Sequence, residues 1–287
     1  MYEQDYHEPV TPGGSASRVG EMRRDSARDS HVIALLLHRV TRARIATAVG
    51  RRHALVFVTS VEELANAVRE CPRVRTVICE PRDAHGIPTA PVLHDLRASY
   101  PSFALIGYCP RGTASPDLLA LANAGIDELV QEGLDDEGAA LRAAYRGSIE
   151  ACAARQVLAA VKDVIPTPLL PVAQYCLRFP REDHSVGGLA RAQGVDRKTL
   201  LNHSHRNDFI APSTLAMWCR ILLAAALLEA TRETVEQVSY SLEFSSPSSF
   251  RNACSRYTGV KPSAWRQAGG LSGVVALFLR ALRDRPK

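Results

Sequence analysis

The sequence lacks paired cysteines, a long apolar run and an N-terminal segment with an apolar centre. Its seven Cys, at 71, 79, 109, 152, 176, 219 and 254, are scattered, odd in number and without a CxxC pair. They read as reduced, mostly buried thiols of a cytoplasmic protein rather than a disulfide or zinc framework. No apolar stretch approaches the roughly 18–20 residues of a membrane helix; Ile221–Leu228 is the longest helical candidate, and no membrane partner is expected. The opening MYEQDYHEP has mixed charge and no apolar core, which argues against a signal peptide. A GxSxG elbow and a phosphate-cradling Gly loop are also missing, so neither enzyme activity nor a cofactor is expected. His203 and His205, two apart on a helix, point to different sides and have no cysteine or carboxylate cluster beside them, so no metal site is expected either.

What is present is a globular composition, 46% hydrophobic and 23% charged over 287 residues, enough chain for two domains. The net charge of +5 is unevenly placed. Residues 181–287 hold 15 Lys and Arg against 9 Asp and Glu, while residues 1–180 hold 20 against 21. The positive excess lies in the C-terminal part, where it suggests an anionic partner.

Residues 1–30, rich in Gly, Ser, Arg and Asp, read as a disordered leader. From residue 31, β-type runs (VIALLL 32–37, ALVFV 54–58, RTVIC 75–79, FALIGY 103–108, DELVQ 127–131) alternate with helical stretches. Ser60 ahead of Val61-Glu62-Glu63 is a strong N-cap with acids in the first turn. Strands about 22–28 residues apart, joined by helices, predict an α/β flavodoxin-like domain over 31–147. A helical linker is expected over 148–180, broken at Pro166 and Pro168. An all-α region follows over 181–268, and a C-terminal amphipathic helix over 269–287.

The all-α region contains a repeat with a period of about 50. LARAQGVDRKTLLNHSHRNDFIAP (189–212) parallels VSYSLEFSSPSSFRNACSRYTGVKP (238–262), aligning Leu200 with Phe250, Asn202 with Asn252, Arg206 with Arg256 and Pro212 with Pro262. Each copy reads as helix, tight turn and capped second helix, with Gly194 closing and Asp196 capping in the first copy and Ser245 or Ser246 capping in the second. This is helix-turn-helix spacing. TLAMWCRILLAAALLEA (214–230) reads as an apolar helix between the copies. At 1.5 Å per residue it would span roughly 26–30 Å, near the turn of B-DNA.

On these residues, 185–266 resembles the AraC/XylS-type DNA-binding domain. The second copy carries the stronger match: Val235, Val238, Leu242-Glu243-Phe244-Ser245, Ser249-Phe250, Arg256-Tyr257-Thr258-Gly259-Val260, Pro262-Ser263 and Trp265-Arg266. Three departures stand out. Glu243 replaces the usual Gly before Phe244, Ser204 and Cys254 replace a core Phe in each recognition helix, and Asn202 and Asn252 replace a base-facing Arg. The resemblance implies a sequence-specific transcription regulator in which Lys198, Leu201 and Asn202 face bases, Arg197 lies near phosphate and His205 is also outward. In the second copy it implies outward Ser248, Arg251 and Asn252, with Arg256, Lys261 and Arg266 as phosphate contacts. Double-stranded DNA is the implied partner, with RNA polymerase and a second copy, meeting through the N-terminal domain, as further candidates.

Residues 31–147 resemble a two-component receiver domain in strand order and size, but not in phosphoryl chemistry. That chemistry needs an acidic Mg²⁺ cluster, an acceptor Asp, a hydroxyl and a Lys. Here the strand ends carry Leu37-His38-Arg39, Glu80 at the acceptor position, Tyr108-Cys109 and Gln131, so no phosphorylation site is expected. Two rival functions stay open: a scaffold or co-regulator that binds DNA non-specifically, and a small-molecule-sensing or enzymatic N-terminal domain fused to a regulator.

Overall fold

The computed structural model describes residues 31–50, 53–71, 74–135, 138–231 and 233–284; the expected leader lies outside them. Five strands form a parallel sheet: β1 (His31–Leu35), β2 (Ala54–Val58), β3 (Val74–Cys79), β4 (Ala104–Cys109) and β5 (Glu128–Gln131), in the order β2-β1-β3-β4-β5. Helices α1 (Arg39–Val49), α2 (Val61–Glu70), α3 (Ala90–Ser99) and α4 (Ser115–Asn123) connect them. The central strands are buried on both faces: Val32, Ile33, Val77, Ile78, Leu105 and Ile106 are essentially inaccessible. That burial explains why they read as continuous apolar runs rather than alternating ones. Ser60 caps α2 as its sequence predicts, accepting from the Glu63 N–H at 3.1 Å. This is a flavodoxin-like sheet, whose order reverses between β1 and β3.

The fifth helix, α5 (Gly138–Val161), runs without interruption through residue 148, where the sequence places the start of a linker. Its Leu141 packs on the sheet with Ile106, Tyr108 and Val130, whereas Ala153, Val157 and Val161 belong to the helical core that follows. An Ala-rich run without Gly or Pro beyond Gly147 gives the helix no reason to stop earlier. Asp127, almost wholly buried, fastens α5 to the sheet edge by pairing with Arg155 and, at 2.9 Å, with Arg97, while accepting from the Leu105 N–H at 2.8 Å. The chain then bends through short 3-10 turns at Lys162–Val164 and Thr167–Leu169, around Pro166 and Pro168.

The remaining helices are α6 (Leu170–Arg178), α7 (Val186–Ala192), α8 (Arg197–Arg206), α9 (Pro212–Ala230), α10 (Val235–Ser241), α11 (Pro247–Thr258) and α12 (Gly270–Arg283). Helix α9 is their axis. Its apolar residues, from Leu215 to Leu228, are nearly all buried. At 19 residues it is long and apolar enough by composition to cross a membrane, which corrects the expectation that no segment reaches that length. The shorter run Ile221–Leu228 understated it because Trp218, Cys219 and the lone Arg220 extend the same helix. Its burial on all sides accounts for its composition as the core of a helical domain. Helix α6, inside the expected linker, contributes Val172, Ala173, Cys176 and Leu177 to this core, and α12 contributes Val274 and Phe278, the latter 5.2 Å from the Trp218 ring. All seven cysteines are buried free thiols.

Candidate nucleic-acid interface

Two units of the helical region repeat the same local geometry. In the first, Ser185 caps α7 by accepting from the Gly188 N–H at 3.1 Å, and Asp183 orients the Ser185 hydroxyl at 3.0 Å. Gly188 is required here, since a Cβ would collide with the Asp183 carbonyl. The turn closes with Gly194 N–H on the Arg191 carbonyl at 3.1 Å and Val195 N–H on the Ala190 carbonyl at 3.0 Å. Asp196 then caps α8, accepting from the Thr199 N–H at 2.8 Å and hydroxyl at 2.7 Å, and these bonds hold its carboxyl below the usual range.

In the second unit, Thr234 and Gln237 form a reciprocal capping box at the start of α10. Glu243 N–H closes on the Tyr240 carbonyl and Phe244 N–H on the Ser239 carbonyl, each at 3.0 Å. Of the two candidate caps, it is Ser246 that opens α11, paired reciprocally with Ser249 at 3.1 Å in both directions, with Pro247 at the first helical position. Leu200 and Phe250, the first apolar residue of each second helix, are buried. A steep turn and a buried anchor leave the opposite face of α8 and of α11 outward.

That face carries the residues singled out from the sequence. On α8, Arg197, Lys198 and His205 are exposed, and Leu201 and Asn202 are partly so. On α11, Ser248, Arg251, Asn252 and Arg256 are exposed, as is Lys261 just beyond it. Arg251 forms an ion pair with Glu236 of α10, and Arg256 lies 5.2 Å from the Tyr257 ring. Arg266 is placed differently. Its guanidinium donates to the carbonyls of Leu228 (2.7 Å), Thr231 (2.9 Å) and Glu233 (3.1 Å), so it closes the C-terminal end of α9. Ser204 and Cys254 occupy core positions, 3% and 0% exposed.

Sequence reading missed the supports behind the second unit. Arg220 of α9 stacks its guanidinium 4.0 Å from the Phe244 ring and donates to the Leu242 carbonyl. Arg181 donates to the Ser241 carbonyl at 2.9 Å and pairs with Glu150 of α5 at 2.7 Å. The only sequence signal for either is a basic residue isolated in otherwise apolar or polar surroundings.

At the sheet's switch point, Glu80 follows β3 and is 3% exposed. Its carboxyl accepts from the Leu37 N–H at 3.1 Å, and burial pushes its pKa above the usual range despite that bond. Nearby Asp83 accepts from the N–H groups of Val61 (3.1 Å), His85 (2.8 Å) and Ile87 (2.9 Å). Burial pushes Asp83 upward, but these three bonds outweigh it and hold the carboxyl below the usual range. Cys109 is buried, with its thiol pushed up to about 11 by that burial, and Gln131 ends β5.

Residues 189–268 match the family model described as a helix-turn-helix domain. The C-terminal region is a helix-turn-helix domain. The match falls on both repeat copies and on the residues that resemble the AraC/XylS type, and it supports a DNA-binding regulator. No curated protein matches the chain. Solved structures with similar folds include a response regulator receiver domain protein from Clostridium thermocellum, with 15% identity, 42% of this chain and 95% of that chain covered, and a TM-score of 0.35. Full-length FixJ from B. japonicum is 14% identical, with 72% and 100% covered and a TM-score of 0.37. RcsB from Salmonella enterica serovar Typhimurium, bound to promoter P1flhDC in the presence of phosphomimetic BeF3-, is 15% identical, with 66% and 93% covered and a TM-score of 0.34. The flavodoxin-like assignment of the first domain rests on its own strand order, and the helix-turn-helix domain on its own turns.

Proposed function

We propose that the chain is a cytoplasmic, sequence-specific transcription regulator of the AraC/XylS type whose N-terminal domain is not controlled by phosphoryl transfer. The observation that carries this reading is the duplicated turn: Gly194–Val195 and Glu243–Phe244 make the same two backbone bonds, on either side of the 19-residue helix α9. At 1.5 Å per residue that helix is about 28 Å long, which suits two reading heads entering successive major grooves. Lys198, Leu201 and Asn202 read bases from α8 with His205 alongside, and Ser248, Arg251 and Asn252 read them from α11. Arg197, Arg256 and Lys261 contact phosphates, while Arg266 holds the end of α9 instead.

In this proposal residues 31–147 form the regulatory domain, 181–268 the reading domain, and helix α12 (Gly270–Arg283) within 269–287 packs on it. The 148–180 connection is shared between the two, and a second copy meets the chain through the regulatory domain to recruit or exclude RNA polymerase. The absence of phosphoryl control is supported by Glu80, whose buried carboxyl is committed to the Leu37 N–H, and by Cys109 and Gln131 where a hydroxyl and a Lys would be needed. Genome-wide mapping of bound sites is the test. A shared motif with two half-sites about one helical turn apart is expected; bound fragments without a common motif would overturn the reading in favour of a non-specific scaffold.

A further inference from the structure

We propose that the crevice between the sheet domain and the end of α9 is a binding site for a small organic anion with an apolar body. It is a crevice of about 180 Å³, open to solvent on one side and large enough for one small molecule. Its walls come from both parts of the chain: Ala48 ends α1, Ile149 lies on α5 and Leu227 on α9. The Tyr145 ring, with His53 edge-on to it at 5.8 Å, adds an aromatic surface. Arg142 and Arg146, both exposed, line its solvent side.

The charges choose the ligand. Of the two carboxylates that line the crevice among the described residues, Glu150 pairs with Arg181 at 2.7 Å, and Glu233 faces Arg146 at 3.9 Å. Arg142 is left without a carboxylate partner among the described residues, so the site carries a donor set suited to one anionic group. Apolar walls disfavour a fully hydrated inorganic anion, because burying them against water gains nothing. A carboxylate at Arg142, with an aliphatic or aromatic body against Ala48, Ile149 and Leu227, satisfies both. Such a ligand touches α1, α5 and α9 together, so it reports on the relative placement of the sheet and the reading domain.

The test is calorimetric titration of the full chain with 3-phenylpropionate and hexanoate, against 3-phenylpropionamide and sulfate. Saturable binding of at least one carboxylate is expected, with the amide and sulfate weaker by about tenfold or more, the loss of one charge-assisted contact. Arg142→Gln, at an exposed position that leaves the core intact, should weaken the carboxylate by a similar factor, and Ala48→Leu should block it. Two results would overturn the proposal: no saturable binding of either carboxylate by about 10 mM, or binding that Arg142→Gln leaves unchanged.

Discussion

Gly194 and Glu243 occupy the same place in the two turns, at φ +65° and +53°. Both lie in the left-handed region, where a side chain costs about 1–2 kcal/mol and glycine does not. The first unit meets that demand with Gly and the second tolerates it. Around Gly194 there is open space, so a methyl group there would act through backbone strain alone. Glu243→Gly should therefore stabilise the protein by about 0.5–1 kcal/mol, the relieved strain less the entropy that Gly loses on folding. Gly194→Ala should destabilise it by about 1 kcal/mol. Denaturant melts of both variants check the pair; a Glu243→Gly protein that melts earlier would show that the side chain makes a compensating contact.

Ser204 replaces an expected core aromatic with a hydroxyl that is buried and has no hydrogen-bond partner among the described residues. Desolvating an unpaired hydroxyl costs about 1–3 kcal/mol. Ser204→Ala removes the polar atom with little change in volume, so it should stabilise the reading domain by about 1 kcal/mol. A denaturation midpoint that stays put or falls would mean that the hydroxyl is satisfied in solution.

Where structure depends on neighbours in sequence, it was legible. Ser60, Asp196 and Ser246 are caps because a short polar side chain precedes a helical run, and each bonds the N–H three residues on. The missing Gly at Glu243 was visible only through the family resemblance, and its φ of +53° supplies the physical reason that Gly suits the position. Arg220 against Phe244, Arg266 against the Leu228 carbonyl and Asp127 against Arg155 were not visible. Their partners lie 24 to 38 residues away, and no periodicity encodes such pairings. The course of α5 past residue 148 was hidden for the opposite reason: an unbroken helix offers no punctuation where one core gives way to the next.

Two buried carboxyls near the switch point should respond to pH in opposite directions. Burial raises the folded-state pKa of Glu80, so the fold binds a proton there more readily than the unfolded chain does. Its penalty grows as pH rises from the ordinary Glu value toward the raised one. Glu80→Gln, which keeps an oxygen for the Leu37 N–H, should thus stabilise the protein at neutral pH and lose that advantage in acid. Asp83 is held down by the N–H groups of Val61, Ile87 and His85. Its stabilisation is present above the ordinary Asp value and fades as pH falls through the lowered one, so Asp83→Asn should destabilise at neutral pH and converge on the parent in strong acid. Thermal melts from about pH 8 down into strong acid, below the ordinary Asp value, compare the two variants with the parent and read out both signs.

The basic residues of the second unit should separate into three classes under salt. Arg251 is half-exposed on the outward face of α11 and aimed by Glu236, which suits contact with a base edge. Arg251→Ala should weaken operator binding by about 1–3 kcal/mol and relax preference at one base position. Arg256 is exposed and makes no ion pair among the described residues, which suits a phosphate. Arg256→Ala should weaken all duplexes alike and reduce the salt slope by about 1. Arg266 spends its donors on three carbonyls at the end of α9, so Arg266→Ala should lower stability by about 1–3 kcal/mol while leaving the salt slope of the folded protein unchanged. Fluorescence-anisotropy titrations over a range of salt, with a melt for each variant, distinguish the three. An Arg251→Ala footprint identical to the parent's would remove Arg251 from the reading face, and a lowered salt slope in Arg266→Ala would return that residue to the phosphate contacts.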